Sequence, residues 1–120
     1  MNYIVIENTL PDDLLRATAL AIQAGPFESG KRTAQGLAQA AKNNLQLAAM
    51  AHAPLLDSLA AAIQAHPVVQ AFALPRAMVR TIINRYEVGM EYGLHADAAY
   101  IQEARTDVSF TLFLDDPASY

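Results

Sequence analysis

Ile82-Ile83-Asn84-Arg85-Tyr86-Glu87-Val88-Gly89-Met90-Glu91-Tyr92-Gly93-Leu94-His95-Ala96-Asp97 is the stretch that decides how this chain is read. It closes a run, residues 77–86, that is rich in β-branched side chains, and residues 91–97 also read as extended. Gly89 and Gly93 permit a turn between the two. At the end stand a histidine and an aspartate two positions apart. On a strand such residues share a face, so an imidazole and a carboxylate converge on one point. One neutral nitrogen and one anionic oxygen suit a divalent metal of intermediate hardness. They supply two members of a two-histidine, one-carboxylate facial triad. With three histidines in the chain, His-x-Asp also arises by chance, as a surface pair at a strand end.

Outward from this stretch, Lys42-Asn43-Asn44-Leu45-Gln46-Leu47 alternates polar and apolar residues and reads as a further extended segment. Residues 107–114 read as another, and residues 3–6 as a short strand. Thr9 before Leu10-Pro11-Asp12-Asp13 is a helix start, with a capping hydroxyl, a preorganised proline and two acids at the positive dipole end. That helix is predicted to run to about Ala24, where Gly25-Pro26 stops it. Leu55, Leu56, Leu59, Ala62 and Ile63 form the stripe of a second helix over residues 54–65, ended by His66-Pro67. Residues 27–35 read as a loop, and the alanine-rich residues 36–41 are ambiguous. The expectation is one α+β domain over residues 1–120, helices first and antiparallel sheet after. Asp115-Asp116-Pro117 signals a turn with no strand after it, so the sheet is expected to be incomplete.

Composition narrows the function. An apolar share of 53% supports a packed core rather than disorder. The absence of cysteine removes disulfides, thiolate metal sites and a cysteine nucleophile. A net charge of −4 and no basic, aromatic-interleaved stretch count against nucleic acid as a partner. No apolar run is long enough for a membrane span, and the start lacks a basic leader. The chain is expected to be soluble and cytoplasmic.

The order Asn-Arg-Tyr-x-x-Gly-Met-x-x-Gly-x-His-x-Asp over residues 84–97 resembles the Fe(II)/2-oxoglutarate-dependent dioxygenases. It looks most like the PKHD-type hydroxylases, relatives of prolyl 4-hydroxylases. Residues 42–47 upstream and Arg105-Thr106-Asp107-Val108-Ser109-Phe110-Thr111-Leu112-Phe113-Leu114 downstream fit the same subfamily. The resemblance implies a double-stranded β-helix, jelly-roll or cupin-like, with Fe(II) as cofactor, 2-oxoglutarate as co-substrate and ascorbate as a supporting reductant. It implies a small-molecule or peptidyl C–H as substrate. His95 and Asp97 match the metal ligands, and Tyr86 a tyrosine that hydrogen-bonds 2-oxoglutarate. Asn84 matches an asparagine that contacts the co-substrate in the AlkB-type branch, and Arg105 a residue presented towards substrate. Sheet packing competes as the reading of Asn84 and Tyr86, and a surface salt bridge as that of Arg105.

The family's third ligand is a histidine on a later strand, followed by a basic residue that pairs with the co-substrate's far carboxylate. Only 23 residues follow Asp97, and none is histidine. His52 and His66 flank the predicted helix and read as surface residues. A jelly roll also needs eight strands, more than the extended segments seen here. The expectation is the N-terminal part of a dioxygenase, inactive by itself. Its last strand would leave Phe110, Leu112 and Leu114 on an uncovered face, favouring a homodimer or aggregation. An AlkB-type nucleic-acid demethylase and a non-catalytic binding fragment are the alternative readings.

Overall fold

Pro11 takes the cap position of the first helix, α1 (Asp12–Ala24), in extended conformation. Its carbonyl accepts the Leu15 N–H at 3.0 Å. Asp12 and Asp13 then meet the positive end of the helix dipole. Thr9, the expected cap, instead donates its hydroxyl to the Ile6 carbonyl at 3.1 Å. Gly25, at φ 63°, ends the helix with its N–H on the Ala21 carbonyl at 3.0 Å, a left-handed position that favours a residue without Cβ. This geometry comes from a computed structural model, which describes residues 2–119.

The second long helix, α3 (Ala53–Ala65), follows a short α2 (Gly36–Ala41). Of the predicted stripe it buries Leu56, Leu59 and Ile63, while Leu55 and Ala62 are half-buried. Pro67 ends α3 and at once opens α4 (Pro67–Ala73), where its fixed φ suits the first turn. Between them His66 is extended, and its Nδ1 accepts the Val68 N–H at 3.2 Å.

The described residues also form seven short strands: β1 (Phe27–Ser29), β2 (Lys42–Asn43), β3 (Leu45–Leu47), β4 (Asn84–Arg85), β5 (Glu91–Tyr92), β6 (Tyr100–Ile101) and β7 (Ala104–Arg105). They pair antiparallel as β1-β3-β4, β2-β5 and β6-β7. The architecture is therefore α+β, four helices with small antiparallel sheets, and the described residues close no barrel. Several expectations are corrected. Residues 3–6 form no strand, and 27–35 are not simply a loop but β1 and a 3₁₀ turn over Gly30–Thr33. Of residues 77–86 only β4 pairs, and 107–114 join no ladder among the described residues. Alternation and β-branching are properties of side chains, whereas a strand also needs a neighbour for its N–H and C=O groups.

The core joins Ala21 of α1, Leu56 and Leu59 of α3, Leu47 of β3, and Ile83 just before β4. Leu10, Leu14, Phe27 and Leu114 pack around them. Leu114 thus faces the core, while Phe110 on the same run stays exposed. Leu59 is 3% exposed at the centre of this cluster. Leu59→Ala is expected to cost about 2–5 kcal/mol, through lost burial and the cavity left behind. Urea midpoints of the two proteins check this, and a cost under about 1 kcal/mol would show a core that collapses around the gap.

Candidate functional site

The pairing of β2 with β5 sets Lys42 opposite Tyr92 and Asn43 opposite Glu91. One further backbone bond, Gly93 N–H to the Ala41 carbonyl at 2.8 Å, continues this alignment past the strand. The turn before β5 is made by Gly89, at φ 85°, with Met90 N–H on the Glu87 carbonyl at 2.9 Å. β5 stops at Tyr92, so His95 and Asp97 do not lie on a strand as expected. They converge through a loop instead.

Three contacts aim the His95 ring. Its Nδ1 lies 2.7 Å from the Gly93 carbonyl, which can only accept, so Nδ1 carries the proton. The Tyr92 ring stacks on it at 3.5 Å between centroids and 8° between planes. Nε2 is thereby turned to Asp97 Oδ1, 3.4 Å away. That separation is long for a strong N–H···O bond. It is close to the spacing of two neighbouring oxygen or nitrogen ligands on one small divalent cation, about 3 Å for bonds of about 2.1 Å. A histidine held by a backbone carbonyl through its other nitrogen is also the usual form of a metal-binding histidine. The donor pair fits two positions on an iron-sized ion. Among the described residues no third histidine or carboxylate joins it. His52 is engaged elsewhere, its Nε2 at 2.7 Å from the Gly25 carbonyl, and His66 caps α4.

Behind the pair runs a row of polar side chains. Lys42, Asn44 and Gln46 alternate along β2 and β3, and all three are buried. Asn44 Nδ2 donates to Asn84 Oδ1 at 3.3 Å and to Tyr86 Oη at 2.9 Å. A phenol oxygen that accepts in this way keeps its own hydrogen for another acceptor. Asn84 and Tyr86 are therefore tied together by a residue that the motif does not include. Tyr92 joins Tyr86 to the ligand pair: burial, then the negative charge of Asp97 and the proximity of Tyr86, hold its phenol above the usual 10.0. Arg105 bonds Asp107 at 2.7 Å with both side chains exposed. This is the surface ion pair that competed with a substrate-side role. The alternation of residues 42–47 marks Lys42, Asn44 and Gln46 as one strand face, but by itself it assigns them no place in the site.

Lys42 Nζ donates to Thr33 Oγ1 at 2.9 Å and lies 5.0 Å from the Tyr92 ring centroid. Burial first, and the charge of Arg80 second, push its ammonium below the usual 10.5. The folded chain thus sheds this proton more readily than the unfolded one. The cost of burying the charge is present at neutral pH and relieved as pH rises from the folded value to 10.5. Against Lys42→Met, the unaltered chain is expected to gain relative stability across that alkaline window. Parallel pH series of urea unfolding test this, and a constant difference would show an unperturbed lysine.

No protein-family model matches the chain, and no solved structure gives a significant match. The curated relatives that the chain matches are named as hydroxylases. Over 109 residues, 90% of this chain and 50% of the relative, it is 43% identical to a PKHD-type hydroxylase of Parvibaculum lavamentivorans. It is 40% identical to one of Prochlorococcus marinus over 88% of this chain and 48% of the relative. A third, of Hyphomonas neptunium, is 38% identical over 98% of this chain and 55% of the relative. The chain belongs with the PKHD-type hydroxylases, and it spans about half the length of the curated relatives it matches. No helix among the described residues is long and apolar enough to cross a membrane.

Proposed function

We propose that this chain carries the front part of an Fe(II)- and 2-oxoglutarate-dependent hydroxylase site within a jelly-roll domain. The observation that carries the reading is the His95–Asp97 pair, Nε2 and Oδ1 3.4 Å apart and oriented by the Gly93 carbonyl. His95 and Asp97 would hold the iron, which when bound supplies the oxidising chemistry for a substrate C–H bond. Tyr86, its oxygen already accepting from Asn44, would donate its hydroxyl proton to a 2-oxoglutarate carboxylate. Asn84 would fix Asn44 from the other side and so hold Tyr86 in register. Tyr92 would clamp the imidazole. The substrate would be a small molecule or peptide, with ascorbate as a supporting reductant, in the cytoplasm, and the uncovered Phe110 face would favour a homodimer. With two ligands, the chain alone would bind iron weakly and turn over little, because loose geometry forfeits the orientation that catalysis depends on.

The test loads the chain with Fe(II) without oxygen, adds 2-oxoglutarate, admits air and measures succinate. The same is done with the chain extended by whatever its reading frame encodes next. Succinate from the extended form and little from the short form is the expected result. No succinate from an extended form that contains a further histidine would overturn the reading. A second reading, a non-catalytic binding fragment, is favoured by the two-ligand site. Succinate formation by the extended form would exclude it.

A further inference from the structure

Lys42 and Tyr92 face each other across the β2–β5 ladder. The lysine is 4% exposed and the tyrosine half-buried. No carboxylate among the described residues lies within ion-pair distance of the ammonium, and a buried ammonium is costly unless something offsets its charge. Two groups do so here. Thr33 Oγ1 accepts from Nζ at 2.9 Å, and the Tyr92 ring centroid lies 5.0 Å away, inside the ~6 Å reach of a cation–π contact. The ammonium has little freedom to leave this place. Gly30 lies so close to the stem that a Cβ there would be 3.1 Å from Lys42 Cε. The same tyrosine ring carries the contact on to the candidate ligand, stacked on His95 at 3.5 Å and 8°. Among the described residues no hydrogen bond ties down the Tyr92 hydroxyl, so contacts of the ring fix the side chain.

We propose that Lys42 is a positioning residue: its ammonium, pinned by Thr33, holds the Tyr92 ring in the stack that aims His95 Nε2 at Asp97. The inference rests on the hydroxylase reading only in giving the imidazole a metal to hold. Cross-strand packing alone would be served as well by an apolar side chain of similar length, with no charge to bury. A cation differs from such a side chain because it attracts the face of the ring. Arg80, with Nη1 on the Thr33 carbonyl at 3.1 Å, and Gln46, with Nε2 on the Thr33 hydroxyl at 2.7 Å, keep the threonine in place. Removing the charge of Lys42 is expected to lower the ratio of stacked to free Tyr92 about 5- to 30-fold, the range for one desolvated cation–π contact.

The first measurement is proton NMR of the metal-free chain, so that it does not depend on iron chemistry. The ring current of Tyr92 is expected to shift the Lys42 ε-methylene and His95 ring protons upfield in the unaltered chain. Tyr92→Leu, at a half-buried position, should abolish both shifts, and Tyr92→Phe should keep both. Lys42→Met keeps the length of the side chain and drops its charge. It should move the His95 signals towards their Tyr92→Leu values without lowering the urea midpoint, because an apolar replacement of a buried charge is neutral or stabilising. Lys42→Arg should restore them. Anaerobic Co(II) binding should weaken in the same order, about 10- to 100-fold for Tyr92→Leu, the range for a supporting partner, several-fold for Lys42→Met, and least for Lys42→Arg. Absence of the upfield shifts from the unaltered chain overturns the proposal without any variant. A Lys42→Met chain whose His95 signals match the unaltered chain does so as well, showing a lysine that only fills space. So does a Lys42→Met chain that no longer folds, which would make the lysine purely structural. The expected shifts and their loss, with no Co(II) binding by any of the chains, would keep Lys42 as the holder of the stack and overturn the hydroxylase reading instead.

Discussion

His95→Ala is expected to weaken Fe(II) binding at least about a hundredfold, because removing a ligand exceeds the 10–100-fold cost of removing a supporting contact. The imidazole is the better-built half of the pair. Its Nδ1 is held by the Gly93 carbonyl and its face by the Tyr92 ring. Asp97, at 71% side-chain exposure, has no comparable support. Without the imidazole, a lone solvated carboxylate remains, and water competes for the metal on nearly equal terms. Anaerobic titration with Fe(II), and with Co(II) as a visible probe of coordination, measures the loss. Asp97→Asn should lose affinity as well, since the amide oxygen carries no charge. A His95→Ala chain that keeps its affinity would place the metal elsewhere and remove the basis of the site.

Gly30→Ala is expected to destabilise the chain by about 2–5 kcal/mol, from overpacking together with hydrogen bonds left broken. A Cβ at Gly30 would sit 1.7 Å from Asn44 Oδ1 and 2.8 Å from its Cγ. The glycine is required by this close approach, not by a left-handed backbone. Asn44 cannot swing aside freely. It is buried, it holds Asn84 and Tyr86, and its backbone carbonyl takes the Gly30 N–H at 2.9 Å. Moving its amide would release Tyr86 as well, so the same substitution should disturb the site. A double-mutant cycle separates the causes. In an Asn44→Ala background the space exists, and adding Gly30→Ala should cost under about 1 kcal/mol. An equal cost in both backgrounds would show that Gly30 is needed for another reason.

How far the sequence reaches differs from element to element. α1 and α3 were legible because their signals are local: two acids after a proline, a glycine at the end, and leucines at helical spacing. α4 was not, because a proline that ends one helix also suits the start of the next, and the dipeptide is the same in both cases. The β2–β3 segment was legible as extended, but which face turns inward was not. Apolar residues normally face the core, yet here Lys42, Asn44 and Gln46 are buried as well, and each hydrogen-bonds to Thr33, Asn84 or Tyr86 from distant parts of the chain.

The residue types of the site and its family likeness were determined by the sequence alone: His95 and Asp97 two apart, and the Asn84, Tyr86, Gly89 and Gly93 spacing before them. Only the tertiary structure decided how they meet. The pair converges from a loop, not a strand, because the β2–β5 ladder ends at Tyr92 and the Gly93 carbonyl then captures the imidazole. Asn44 reaches Tyr86 across 42 positions of sequence. Spacing along the chain reports what a short stretch can do by its own geometry. A bond between segments so far apart depends on how the core packs, and that energy is shared among all the elements rather than written in any one of them.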